Sequence, residues 1–144
     1  MKGKKSWMDK FSQSREPKVK KIEIDFAGIP ANSTMLIPSP PIIDAYIRSI
    51  PTGKFVTVEQ MRKDLAAEYN AEYSCPVTTG IFTRIVAEAA FEKYSQKNSL
   101  RGITPFWRIV DPASSLARKF TFGNALVIQQ QKKEKILLNA HPHR

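Results

Sequence analysis

The sequence predicts a mainly α domain of the α+β class: a winged helix-turn-helix-like core of three helices, with a small β element and a C-terminal helix. Two observations carry that expectation. Apolar residues recur at three- and four-residue spacing across 42–97, interrupted only by short polar breaks, as in amphipathic helices joined by turns. Segments that alternate as a half-buried strand does are few and brief. The 144 residues, 42% of them hydrophobic, suffice for one packed core plus tails.

Residues 1–21 mix Lys, Ser, Gln and Pro with isolated Trp7, Met8 and Phe11, and read as a loose basic arm with room for one short helical turn. IEIDF (22–26) alternates as a short strand. The Gly-, Pro-, Asn- and Ser-rich stretch that follows, to Pro41, reads as extended chain laid over the core, with MLI (35–37) its apolar run. From Ile42, the spacing of Ile43, Tyr46, Ile47 and Ile50 marks a first helix, closed by the turn Pro51-Thr52-Gly53. Thr57 is an N-cap for a second helix over 58–69, with Val58, Met61, Leu65 and Ala66 inward. After a polar turn from Asn70 to Pro76, Thr78 or Thr79 caps a third helix to about Lys97, whose inward stripe is Ile81, Phe82, Ile85, Val86 and Ala89. The second and third helices form the helix-turn-helix. Gly102 breaks the pattern, FWRIV (106–110) reads as a short strand, and Asp111-Pro112 and Gly123 mark bends. NALVIQQQKKEKILL (124–138) is a final helix with Leu126, Val127, Gln130, Ile136 and Leu137 on its apolar face. The expected divisions are a flexible arm (1–21), an extended segment (22–41), the helical core (42–140) and a frayed tail (141–144) containing His141 and His143.

Charge is concentrated at the two ends. Of 23 basic and 13 acidic residues, eight and two lie in 1–21, seven and nine in 22–100, and eight and two in 101–144. Basic ends around a slightly acidic middle attract polyanions, and nucleic acid is the commonest one inside cells. Lys2, Lys4, Lys5, Lys18, Lys20 and Lys21 would then supply sequence-independent affinity; the alternative is a solvated tail kept for solubility. One cysteine and two histidines argue against a disulfide scaffold or a protein-built zinc site, so no metal and no cofactor are expected. No apolar run reaches the roughly 18 residues of a membrane span, and no apolar stretch follows the basic N-terminus as in a signal peptide. The expected setting is cytoplasmic, or nucleoid-associated in a bacterium, for a monomer with no membrane partner.

The third helix is the place to expect DNA contact. Away from Ile81, Ile85 and Ala89 lie Thr83, Arg84, Ala87 and Glu88: small groups that allow close approach, with an arginine able to reach phosphate or fill the space of a displaced base. The same residues also fit an ordinary exposed face with an Arg84–Glu88 pair at i, i+4.

IIDAYIRSIPTGKFVTVEQMRKDLA, RIVAEAA and ITPFWRIV resemble the DNA-binding domain of the alkylguanine-DNA alkyltransferases (methylated-DNA-protein cysteine methyltransferases) and the alkyltransferase-like proteins, over roughly residues 36–140. IPTGKFVTVEQM is similar to the family's IP-x-G-x-x-x-(S/T)-Y-x-x-(I/L), and TPFWRIV to its PCHRV. The resemblance puts Gly53 on the family's turn glycine and Arg84 on the arginine that fills the gap left by a flipped nucleotide. It implies Thr79, Thr83 and Ala87 along the groove-facing side, and Asn98, Pro105, Phe106, Trp107 and Arg108 around the base pocket. The partner it implies is double-stranded DNA, alkylated or otherwise distorted.

The departures remove the chemistry. Phe106 stands in place of the nucleophilic cysteine and Trp107 in place of its activating histidine, and a phenyl ring cannot accept an alkyl group. Val58 replaces the tyrosine of the second helix, and the late glutamate that supports the histidine is missing near His141. No catalytic residue is therefore assigned, and the expected activity is non-catalytic binding of a damaged base. Three rivals remain: a plain winged-helix nucleic-acid binder with a filled pocket, an alkyltransferase whose nucleophile has moved to Cys75, and a protein adaptor using Trp7 and Phe11. Phe106 and Trp107 could stack on a flipped base or plug the pocket, with at most one ring facing it if the segment is a strand.

Overall fold

Ser6 caps the first helix among the described residues. Its hydroxyl accepts from Asp9 N–H at 3.0 Å while the Asp9 carboxylate accepts from Ser6 N–H, a reciprocal cap that starts α1 (Trp7–Ser12). The computed structural model describes residues 5–136; Lys2, Lys4, Leu137, His141 and His143 lie outside them. After α1 come β1 (Lys18–Lys21), β2 (Thr34–Ile37), α2 (Pro40–Arg48), α3 (Val58–Glu68), β3 (Tyr73–Ser74) and α4 (Pro76–Lys97). A 3-10 turn (Phe106–Arg108), α5 (Ser115–Arg118) and α6 (Ala125–Glu134) complete the order. The fold is mainly helical with a small three-stranded sheet, β1-β2-β3. β1 runs antiparallel to β2, Val19 opposite Leu36, and β3 runs parallel to it, Met35 opposite Tyr73.

The three central helices start as capping chemistry dictates. Ser39 caps α2, with Pro40 and Pro41 in its first turn where a missing N–H costs nothing. Thr57 caps α3 by accepting from Gln60 N–H at 3.0 Å, and Cys75 caps α4, three residues ahead of Thr78 and followed by Pro76. Leu36, Ile43, Ile47, Met61, Leu65 and Val86 meet in the main core with Phe106, Ile109, Val110 and Val127. Ile22, Ile29, Met35 and Cys75 form a second, smaller cluster under the 22–33 loop.

Four expectations fail for physical reasons. Residues 1–21 are not a loose arm throughout: α1 docks on α4 and Lys18–Lys21 pair with β2. The strand falls on KVKK rather than IEIDF because β1 is an edge whose four side chains are all exposed, which leaves no apolar alternation to read. Nor is FWRIV a strand. Phe106, Trp107, Ile109 and Val110 are all buried, and the backbone closes on itself through Arg108 N–H to Pro105 O at 3.0 Å and Ile109 N–H to Phe106 O at 3.1 Å.

The fourth failure is the rotation of α4. Val86 and Ala89 are buried as expected, but the buried side also carries Thr79, Thr83, Ala87, Glu88 and Ala90, while Ile81 faces out and Phe82 and Ile85 are half-buried. Both threonines bury without stranding a hydroxyl. Thr79 Oγ1 donates to Cys75 O and Thr83 Oγ1 to Thr79 O, each at 2.6 Å, so each side chain serves the core as a valine would.

Candidate nucleic-acid interface

With Thr79, Thr83 and Ala87 turned inward, they are not a groove-facing side. The first two turns of α4 present Val77 and Ile81 instead, 51% and 53% exposed, with the half-buried Arg84 one turn on. This ridge of two branched apolar side chains followed by an arginine belongs to the later helix of the α3–α4 pair. Single exposed apolar side chains are ordinary, as Ile24 at 75% shows; these two are notable for sharing one helix face with Arg84.

Arg84 is held rather than free. Its Nε lies 3.3 Å from Glu88 Oε2, and its guanidinium carbon 5.0 Å from the centre of the Trp7 ring, within cation–π range. Lys10 Nζ lies 4.1 Å from the same ring. Glu88 is buried and fully used: it also accepts from Thr121 N–H at 2.8 Å and Thr121 Oγ1 at 2.6 Å. The i, i+4 pair legible in the sequence is thus present, but it is half of a bracket between α4 and the loop before α6.

The position where the resemblance puts a base pocket is solid. Phe106 has no exposed surface and Trp107 has 5%. Phe106 packs edge-on against Trp107, Phe120 and Phe122, with centroids 5.5 to 6.2 Å apart, and Phe91 stacks on Phe122 at 4.1 Å. Pro105 is buried beside them. Asn98 is elsewhere: it ends α4 in the left-handed conformation at φ 54°, exposed, its N–H on Tyr94 O.

Arg108 is a structural tie. Its Nη1 donates to Ile50 O at 2.8 Å, its Nη2 to Thr52 Oγ1 at 2.9 Å, and its Nε and Nη2 grip Glu134 at 3.0 and 2.9 Å. Glu134 further accepts from Trp107 Nε1 at 2.8 Å and Gly53 N–H at 3.0 Å. Burial on its own would raise the Glu134 carboxyl; the hydrogen bonds from Arg108, Gly53 and Trp107, with the Arg108 charge, outweigh it and hold the group below the ordinary carboxylate range. Gly53 sits at φ +85°, a left-handed turn conformation that favours glycine. Trp107, which the resemblance aligns with the histidine, thus donates to a carboxylate, that of Glu134. The sequence signal that could have found it is the lone acid closing the QQQKKE run.

The remaining candidates scatter. Lys5, Lys18, Lys20 and Lys21 are exposed, the last three along β1. Beside them, Lys10, Arg15 and Lys18 line a cleft of about 380 Å³ floored by Phe82 and Ile85 of α4. Cys75 is buried, its Sγ 3.5 Å from Thr78 N, and so is shut away from any substrate as it stands. Trp7 was missed as a contact of Arg84, although Ser6 and Asp9 around it already spelled a helix start. Among the described residues no group of three His, Cys, Asp or Glu side chains could hold a metal ion, and no helix is long and apolar enough to cross a membrane.

Compared with family models, curated proteins and solved structures, the chain has no match in any of the three.

Proposed function

We propose that this protein is a non-catalytic double-stranded-DNA-binding domain of winged helix-turn-helix type, which grips the duplex with the first turns of α4 and takes no base into a pocket. The observation that carries the reading is the outward ridge Val77–Ile81–Arg84 on the second helix of the pair, in a chain of net charge +10. Basic side chains along β1 and in the cleft beside α4 supply phosphate contacts on the same flank. The resemblance to alkyltransferase-like proteins supports the reading through Gly53, Arg84 and Arg108. The enclosure of Phe106 and Trp107 favours the filled-pocket form over a lesion reader, and the burial of Cys75 weighs against a relocated nucleophile.

The test is fluorescence anisotropy with matched duplexes, one plain and one carrying a single O6-methylguanine, across a salt series. Both bind with equal affinity, and affinity falls linearly on a log–log plot against salt. Ile81→Asp, exposed and therefore tolerated by the fold, abolishes measurable binding, and Arg84→Ala reduces the salt slope by about 1. Absence of binding at low salt overturns the proposal. A preference for the methylated duplex overturns the filled-pocket part of it.

A further inference from the structure

We infer that α1 is an autoinhibitory strap: it closes over α4, occupies Arg84 through Trp7, and must leave before that arginine reaches DNA. This rests on the binding face proposed above and adds its regulation. Four observations meet at one place. Trp7 stacks on Arg84, and it is the only aromatic ring against that guanidinium among the described residues. The first two free N–H groups of α1, Trp7 and Met8, donate to the Glu92 carboxylate at 3.1 and 2.9 Å, so a carboxylate two turns along α4 from Arg84 caps the strap. No residue of α1 is fully buried. The seat is also imperfectly filled: a cleft of about 380 Å³ remains between Met8 and Phe11 on one side and Val86, Ala89, Ala90, Lys93 and Arg48 on the other.

Each of these has a consequence for strength. A helix of six residues does not persist without its partner, so leaving α4 and unwinding are one event. α1 is kept docked by Phe11 packing on the main core, by the cation–π stack and by two hydrogen bonds to a carboxylate; of these, a phosphate backbone competes directly for the stack, by offering Arg84 a better anion than an indole face. The Arg84–Glu88 pair stays on α4 in either state, since Glu88 is fixed by Thr121. The strap therefore taxes binding by the fraction of time it is open: if open about a tenth of the time, removing it tightens apparent affinity about tenfold.

The experiment compares wild type, Trp7→Ala, Glu92→Ala, Arg84→Ala and the Trp7→Ala/Arg84→Ala double variant on one plain duplex. Trp7 and Glu92 are partly exposed, so both changes leave the core intact. Trp7→Ala and Glu92→Ala each bind several-fold more tightly, and the gain from Trp7→Ala vanishes when Arg84 is already alanine. Trypsin gives an independent reading: cleavage at Lys10, inside α1, speeds up when the duplex is added. If Trp7→Ala binds no better while Arg84→Ala binds worse, the strap is wrong and the binding face survives. If Arg84→Ala and Ile81→Asp both bind as wild type does, the binding face itself falls. Protection of Lys10 by the duplex overturns the strap as well, because α1 would then be touching DNA.

Discussion

Phe106 is enclosed by Trp107, Phe120 and Phe122, with no water contact, so truncating it leaves a hole the neighbours cannot close. Phe106→Ala lowers unfolding stability by about 3–5 kcal/mol, read from urea midpoints. The same change does not create an alkyl acceptor, and intact mass after incubation with O6-methylguanine duplex stays unaltered. Position 106 shows what a single chain discloses at this scale. That this position carries no thiol was readable from Phe alone, whereas the choice between a stacking ring and a plug was not, because it depends on Phe91, Phe120 and Phe122 arriving from distant sequence. Thr79 and Thr83 misled for the opposite reason: a threonine hydroxyl satisfied by the preceding turn is apolar in effect while polar in letter.

The elements divide by how local their cause is. α2 and α3 were legible because their periodicity sits within each segment, and Thr57 caps α3 as its spacing indicates; α4 was legible as a helix, but its cap is Cys75 rather than Thr78 or Thr79, because Pro76 fills the first helical position and moves the start upstream. The strand at Lys18–Lys21 and the turn at Phe106–Arg108 were not, since partners far along the chain impose them. The clearest of those partners is α6. Gln131 Nε2 donates to Trp107 O and Val110 O at 2.8 and 2.7 Å, and Glu134 adds Trp107, Arg108 and Gly53. Because the folded Glu134 carboxyl is held below its ordinary value of 4.5, its stabilising contribution is complete above that pH and is lost as pH falls through the lower folded value. Glu134→Gln therefore lowers unfolding stability at neutral pH, because Arg108 loses its counter-charge. The gap to wild type narrows on acidification below about 4.5, measured by urea unfolding at each pH.

At the scale of the whole molecule, the charge asymmetry readable from composition acquires a place. β1 carries Lys18, Lys20 and Lys21 on an unpaired sheet edge, where lysines both discourage edge-to-edge association and extend the positive flank beside α4. Replacing the three with glutamine weakens binding to every duplex alike and flattens the salt slope by about 3 at most, while the unfolding midpoint scarcely moves, since exposed side chains contribute little to stability. The folding of the N-terminal segment onto α4 was hidden from the sequence because a short, lysine-rich stretch with scattered aromatics has the composition of a tail; only the Ser6–Asp9 cap hinted otherwise.

The Glu134 tie also sets a timetable for synthesis. The turn around Gly53 and the segment around Trp107 both lean on a side chain contributed by the last turn of α6. A polypeptide emerging from the ribosome holds Arg108 without its counter-ion until that late helix is released. Nascent chains arrested upstream of position 134 are thus expected to remain protease-sensitive at the Pro51–Gly53 bend, and those arrested well beyond it to become resistant.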